Sequence, residues 1–111
     1  MTGFLQVSTT AATKDAATRL ARSAVGSRLA ASAQVIGPVG SVFWHLGELG
    51  EGEEWQVLLK TTNERFADLR DHLVSEHDWD NPEVTAIPLT EGSAAYFDWL
   101  TRTVSPDVTQ G

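Results

Sequence analysis

A mixed α+β fold of the ferredoxin-like, split β-α-β kind is what this sequence predicts, and three observations predict it. Strand-like and helix-like stretches alternate in the order β-α-β-β-α-β, with one more amphipathic helix behind them. The two middle strands are long and face each other across a polar, glycine-rich stretch, as the arms of a hairpin do. At 111 residues, 41% of them hydrophobic, the chain suffices for one core and not for two. A single domain over residues 1–104 and a flexible tail over 105–111 are expected.

Each element has its own signal. Phe4 to Thr9 is short, apolar and β-branched, and runs into Ser8-Thr9-Thr10, a strand handing over to a turn. From Thr13, read as an N-cap, the residues Ala17, Leu20, Ala21, Ala24 and Val25 recur at helical spacing, while Arg19, Arg22 and Arg28 fall off that stripe. Ala33 to Ile36 is strand-like, Gly37-Pro38-Val39-Gly40 interrupts it, and Ser41 to Leu46 resumes with Val42, Trp44 and Leu46 on one face. One bent or bulged strand accounts for both pieces.

Gly47, Gly50 and Gly52, set among glutamates, form the expected hairpin connection into Trp55 to Thr61. Asn63 is read as the cap of a second helix whose inner stripe is Phe66, Leu69, Leu73 and Val74. After Pro82, Glu83 to Leu89 reads as a fourth strand, and Pro88, which has no N–H to donate, marks it as an edge or a strand end. Gly92-Ser93 opens the last helix, which carries Tyr96, Phe97, Trp99 and Leu100.

This element order places the two main helices on one face of an antiparallel sheet. The other face is not polar. Trp55, Val57 and Leu59 share one side of their strand, yet Leu58 points the other way, as Phe43 does opposite Trp44. Apolar residues on both sides of a strand imply a covered second face, and in so short a chain the expected cover is another copy of itself.

Composition removes whole classes of function. Eight basic against fifteen acidic residues give a net charge of -7, which repels nucleic acid and anionic lipid surfaces. The acids bunch at Glu48, Glu51, Glu53 and Glu54 and at Asp68, Asp71, Glu76, Asp78 and Asp80, neither group with calcium-loop spacing. Without cysteine, the chain has no disulfide, thiolate zinc site, iron–sulfur cluster or thiol nucleophile. No window is long and apolar enough to span a bilayer, and the N-terminus has no secretory pattern, so no membrane partner and a cytoplasmic location are expected. The nucleophile elbow, the phosphate-cradling glycine loop and the dinucleotide fingerprint are all missing, so no enzyme activity is expected.

Several short stretches, in order, carry a resemblance from Phe4 to about Val104. They are Thr9-Thr10, Arg28-Leu29-Ala30-Ala31, Ser41-Val42-Phe43-Trp44 with Gly47, Leu59-Lys60-Thr61-Thr62, His77 with Trp79 leading to Pro82-Glu83, and Gly92 with Tyr96 and Trp99. The chain resembles the CutA, or divalent-cation tolerance, family. That resemblance implies a homotrimer of ferredoxin-like protomers, with long hairpins pairing across subunits and clefts at the interfaces. The plan is similar to that of the PII signal proteins, which bind nucleotides in such clefts. It also implies an association with divalent metal tolerance and copper, and no established catalysis. Departures from the family pattern are Ser32, Thr9 and His72 where members carry cysteine, His45-Leu46-Gly47 for Trp-Glu-Gly, and His77-Asp78-Trp79 for His-Pro-Tyr. Losing the thiolates leaves Met1 as the one soft ligand for copper(I).

The candidate site residues follow. Lys60, one of two lysines, ends an otherwise apolar strand and needs a carboxylate or an anionic ligand beside it; Glu83 is the partner expected. Three readings stand: an ion pair closing a subunit interface, a ligand-binding pair in a cleft, or a catalytic base whose pKa burial lowers. His72 and His77 are five apart and diverge on a helix, so a metal held by either would borrow acids or a second subunit. For His77 the alternative is a hydrogen-bonded loop anchor. Trp44, Tyr96 and Trp99 pack a core or interface, or wall a cleft. The expected function is a CutA-like trimer serving divalent metal (copper) tolerance or response. It would bind a weakly held metal ion or a small anionic metabolite at inter-subunit clefts. The alternative is a structural or signalling trimer that docks a protein partner.

Overall fold

The computed structural model describes residues 3–106. Its elements are β1 (Phe4–Ala11), α1 (Lys14–Gly26), β2 (Ser32–His45), β3 (Glu48–Thr62), α2 (Asn63–Glu76), β4 (Thr85–Pro88) and α3 (Ala94–Val104). The strands form one antiparallel sheet in the order β2-β3-β1-β4, the split β-α-β arrangement that the sequence predicts. Of the expected tail, Ser105 and Pro106 belong to the described residues; the remainder of that expectation, 107–111, lies outside them.

Strand alternation builds the core. Val7, Thr9 and Ala11 of β1 and Val57, Leu59 and Thr61 of β3 are buried on the helix side. Ala16, Ala17, Leu20, Ala21 and Ala24 of α1 and Leu69 and Leu73 of α2 close over them. α1 begins where the Thr13 hydroxyl accepts the Ala16 N–H at 3.1 Å. It ends in a Schellman arrangement, Leu29 N–H to the Ala24 carbonyl at 3.1 Å and Arg28 N–H to Val25 at 3.0 Å. The left-handed position, usually glycine, is Arg28 with φ 59, and its guanidinium donates to the Thr103 carbonyl at 3.2 Å. A second cluster of Ala31, Leu100 and Val104 with Phe4 docks α3, and the Phe4 and Phe97 rings stack at 4.0 Å.

The middle hairpin is longer than the sequence predicts. β3 begins at Glu48, and the connection is Leu46-Gly47 alone, with φ 51 and 81. A type I′ hairpin loop has both residues left-handed, and Gly47 takes that conformation freely. Gly50 belongs to the strand: it lies opposite Phe43, whose ring stands 2.7 Å from where a Cβ would be. That glycine makes room for an aromatic ring instead of turning the chain. The predicted irregularity in β2 is a register shift between Ile36 and Val39, where Pro38 offers no N–H to the ladder.

Two boundaries and one face assignment differ from the sequence reading. The N-cap of α2 is Thr62, not Asn63, because β3 runs straight into the helix with Thr62 still paired to Phe4. Val74 is 43% exposed; standing next to the buried Leu73 in a helix, it points away from the sheet. β4 is a four-residue edge strand ending at Pro88, as that proline predicts, but it starts at Thr85 instead of Glu83.

Leu46 is 90% exposed at a conformation that costs a side chain energy. Leu46→Asn, the residue such loops favour, is expected to raise the unfolding free energy by up to about 1 kcal/mol in denaturant titrations.

Candidate functional site

The face of the sheet away from α1 and α2 is where the charged and apolar candidates meet. Alternation obliges Lys60 to point there, because Leu59 and Thr61 on either side of it point into the core. Across the sheet the register sets Ile87, Gln6, Lys60 and Ser32 in one row, and Thr85, Ser8, Leu58 and Gln34 in the next. Ile87 is 56% and Ile36 42% exposed on this surface. Lys60 is half-buried, and among the described residues its ammonium has no ion-pair partner.

Glu83 does not meet Lys60 within one chain. Its carboxylate accepts the Thr85 hydroxyl at 2.9 Å. Ile87, four residues on, is the β4 residue level with Lys60, two strands away, which puts the two charges on the order of 15 Å apart. A Lys60–Glu83 pair therefore joins two copies or does not form.

The aromatic candidates are also split. Tyr96 and Trp99 lie one turn apart on α3 with ring centroids 5.6 Å apart, and both are partly exposed. Trp44 is 74% exposed beside the hairpin tip, opposite Leu49. α3 packs at the other end of β3, near Thr62, so roughly 40 Å of strand separates the two groups. A cleft using all three rings takes Trp44 from a different copy.

The histidines sit in separate places. His77 accepts the Trp79 N–H on Nδ1 at 3.0 Å, so Nε2 carries the proton and donates to the Thr10 carbonyl at 2.6 Å. Both ring nitrogens are committed to backbone, tying the segment after α2 to the end of β1. His72 Nε2 lies 2.7 Å from the Ser23 hydroxyl, which also donates toward Glu76 at 3.3 Å, and Arg19 pairs with Asp78 at 3.1 Å beside them. Among the described residues no three His, Asp or Glu side chains converge on one point, and no thiolate exists. The donor set of a single protomer does not fit copper(I).

Two polar features have no signal in the sequence spacing: this α1–α2 seam, and a cavity beside Thr62 and Arg65 at the start of α2. Their partners are far apart in the chain and meet only through helix docking.

With this geometry in view, relatives can be compared. The family model described as CutA1 divalent ion tolerance protein matches residues 5–103. The chain belongs to the CutA family. The divalent-cation tolerance protein CutA of Archaeoglobus fulgidus is 33% identical over 95 residues, covering 86% of this chain and 92% of that one. The Thermus thermophilus CutA is 33% identical over 91 residues, covering 82% and 88%. Among solved structures, CutA1 from Oryza sativa superposes with a TM-score of 0.90 at 30% identity, covering 94% of this chain and 95% of that one. The Archaeoglobus fulgidus structure, titled a periplasmic divalent cation tolerance protein, gives 0.86 at 31% identity, covering 95% and 100%. No helix among the described residues is long and apolar enough to cross a membrane.

His77→Ala removes two backbone anchors and is expected to cost about 1–3 kcal/mol of stability, with or without added divalent ion, in urea titrations followed by tryptophan fluorescence. A cost appearing only in metal-loaded protein would give the ring a ligand's role instead.

Proposed function

We propose that this CutA-family chain works as a cytoplasmic homotrimer that serves divalent-cation tolerance by binding, not by catalysis. Its cargo in the inter-subunit clefts is a small anionic metabolite held by Lys60, and a divalent cation is the second, weakly held one. The observation that carries this reading is Lys60 itself: a half-buried cation without a counter-ion, on a sheet face flanked by Leu58 and Ile87. Once a neighbouring copy covers that face, the ammonium needs an anion, either the neighbour's Glu83 or a bound ligand.

The hairpin supports assembly. Val42, Trp44, Leu46 and Leu49 are each more than half exposed along an arm that reaches well past the helices. Paired with another copy, the arm brings Trp44 toward that copy's Tyr96 and Trp99. The same exposed tip favours the second reading, a trimer whose arms dock a protein partner. Copper(I) is disfavoured by the hard donor set; a divalent ion on carboxylates and imidazole between copies suits it better.

Calorimetry against a panel of organic acids and nucleotides, with zinc and copper(II) alongside, tests this. At least one anion is expected to bind saturably and to weaken about ten- to hundredfold in Lys60→Ala, the loss of one charged hydrogen bond. Flat titrations throughout would leave the docking trimer in its place.

A further inference from the structure

Between the first turn of α2 and the last turn of α3 lies a cavity of about 250 Å³, lined by Thr62, Glu64 and Arg65 on one side and by Thr101, Val104 and Ser105 on the other. We propose that it binds a small tetrahedral oxyanion, a phosphate or sulfate group, at a site separate from Lys60. The Arg65 guanidinium and the Thr62 hydroxyl are its donors.

Three observations converge on this cavity. Thr62 is only 3% exposed and lines it, yet at the N-cap position its side chain makes no capping bond. A threonine at this position ordinarily turns its oxygen back onto the helix's free N–H groups; here that bond is not made. Arg65 lines the same space with its side chain 13% exposed, and its Nε is buried with no acceptor. Among the described residues its one ion pair is from Nη1, at a long 3.4 Å, to the exposed Asp68. A buried guanidinium N–H without an acceptor is uncommon, and an oxyanion at the fork would satisfy it. Third, α2 is 14 residues long, and the positive end of its dipole opens on the cavity, offset in part by Glu64 in the same first turn.

The chemistry selects the ligand. A planar fork and a hydroxyl at a helix N-terminus suit a multiply charged oxyanion better than a carboxylate or a halide. The space is enough for one such group and a few waters. Glu64 and Asp68 stand close by and oppose the anion, which sets this as a modest-affinity site.

Amide NMR titration of the full chain with inorganic phosphate, sulfate and methyl phosphate, at ionic strength held constant with chloride, is the test. Saturable shifts centred on Asn63 to Phe66 and Ser105 are expected. Arg65→Met should weaken them about tenfold or more, and the near-isosteric Thr62→Val several-fold, with the rest of each spectrum unchanged. Binding of all three ligands assigns the site to the tetrahedral group wherever it is carried. Loss of methyl phosphate alone assigns it to the free ion. Non-saturating shifts in the unaltered protein, or equal binding in a folded Arg65→Met and Thr62→Val, would overturn the proposal.

Discussion

α1 and α2 cover one side of this sheet, while α3 covers the other only at its Phe4–Thr62 end, and most of the molecule's properties follow from that asymmetry. α1 and α2 seal Val7, Val57 and Leu59, while Leu58, Ile36, Ile87 and Phe43 lie on the opposite surface or on the arm that extends it. Burying an aliphatic or aromatic side chain stabilises by about 1.5–3 kcal/mol. A face bearing several of them gains substantially from a partner, and the cheapest partner of matching shape is the same chain. The hairpin serves the same end. Its outer half has no helix to pack on, yet it exposes Val42, Phe43, Trp44, Leu46 and Leu49 among its glutamates and glycines.

The positions of the candidate residues make sense only under that constraint. Lys60 is central to the open face, Glu83 lies two strands away, Trp44 is at the hairpin tip, and Tyr96 and Trp99 are at the opposite end. Within a single chain they form no site. The histidines, by contrast, are complete in themselves: His77 fastens the segment after α2 to β1 through Nε2 and braces that segment through Nδ1, and His72 closes the seam between α1 and α2. They read as struts of the protomer.

Much of the fold is legible in the sequence because the signals are local. Thr13 announces its helix through a side-chain bond three residues away, Gly37-Pro38 announces the bulge, and Pro88 announces the end of an edge strand. Misreadings arise where a residue has more than one use. Gly50 looks like a turn residue because flexibility is glycine's commonest role, but here it yields space to Phe43, which no one-dimensional pattern reveals. Asn63 looks like the cap because asparagine caps well, whereas Thr62 takes that position as the last residue of a continuous strand. The site is less legible than the fold. Leu58 beside Leu59 does reveal a two-sided strand, but the separation of Lys60 from Glu83 depends on strand order, and the Arg65 cavity depends on how α3 docks.

The covered face is tested most directly by the mass of the particle in solution. Multi-angle light scattering at micromolar chain concentration is expected to report three times the 12.0 kDa chain mass. A chain that scatters as a single 12.0 kDa particle and still unfolds cooperatively would mean that the open face lives in water, and the composite clefts would not exist.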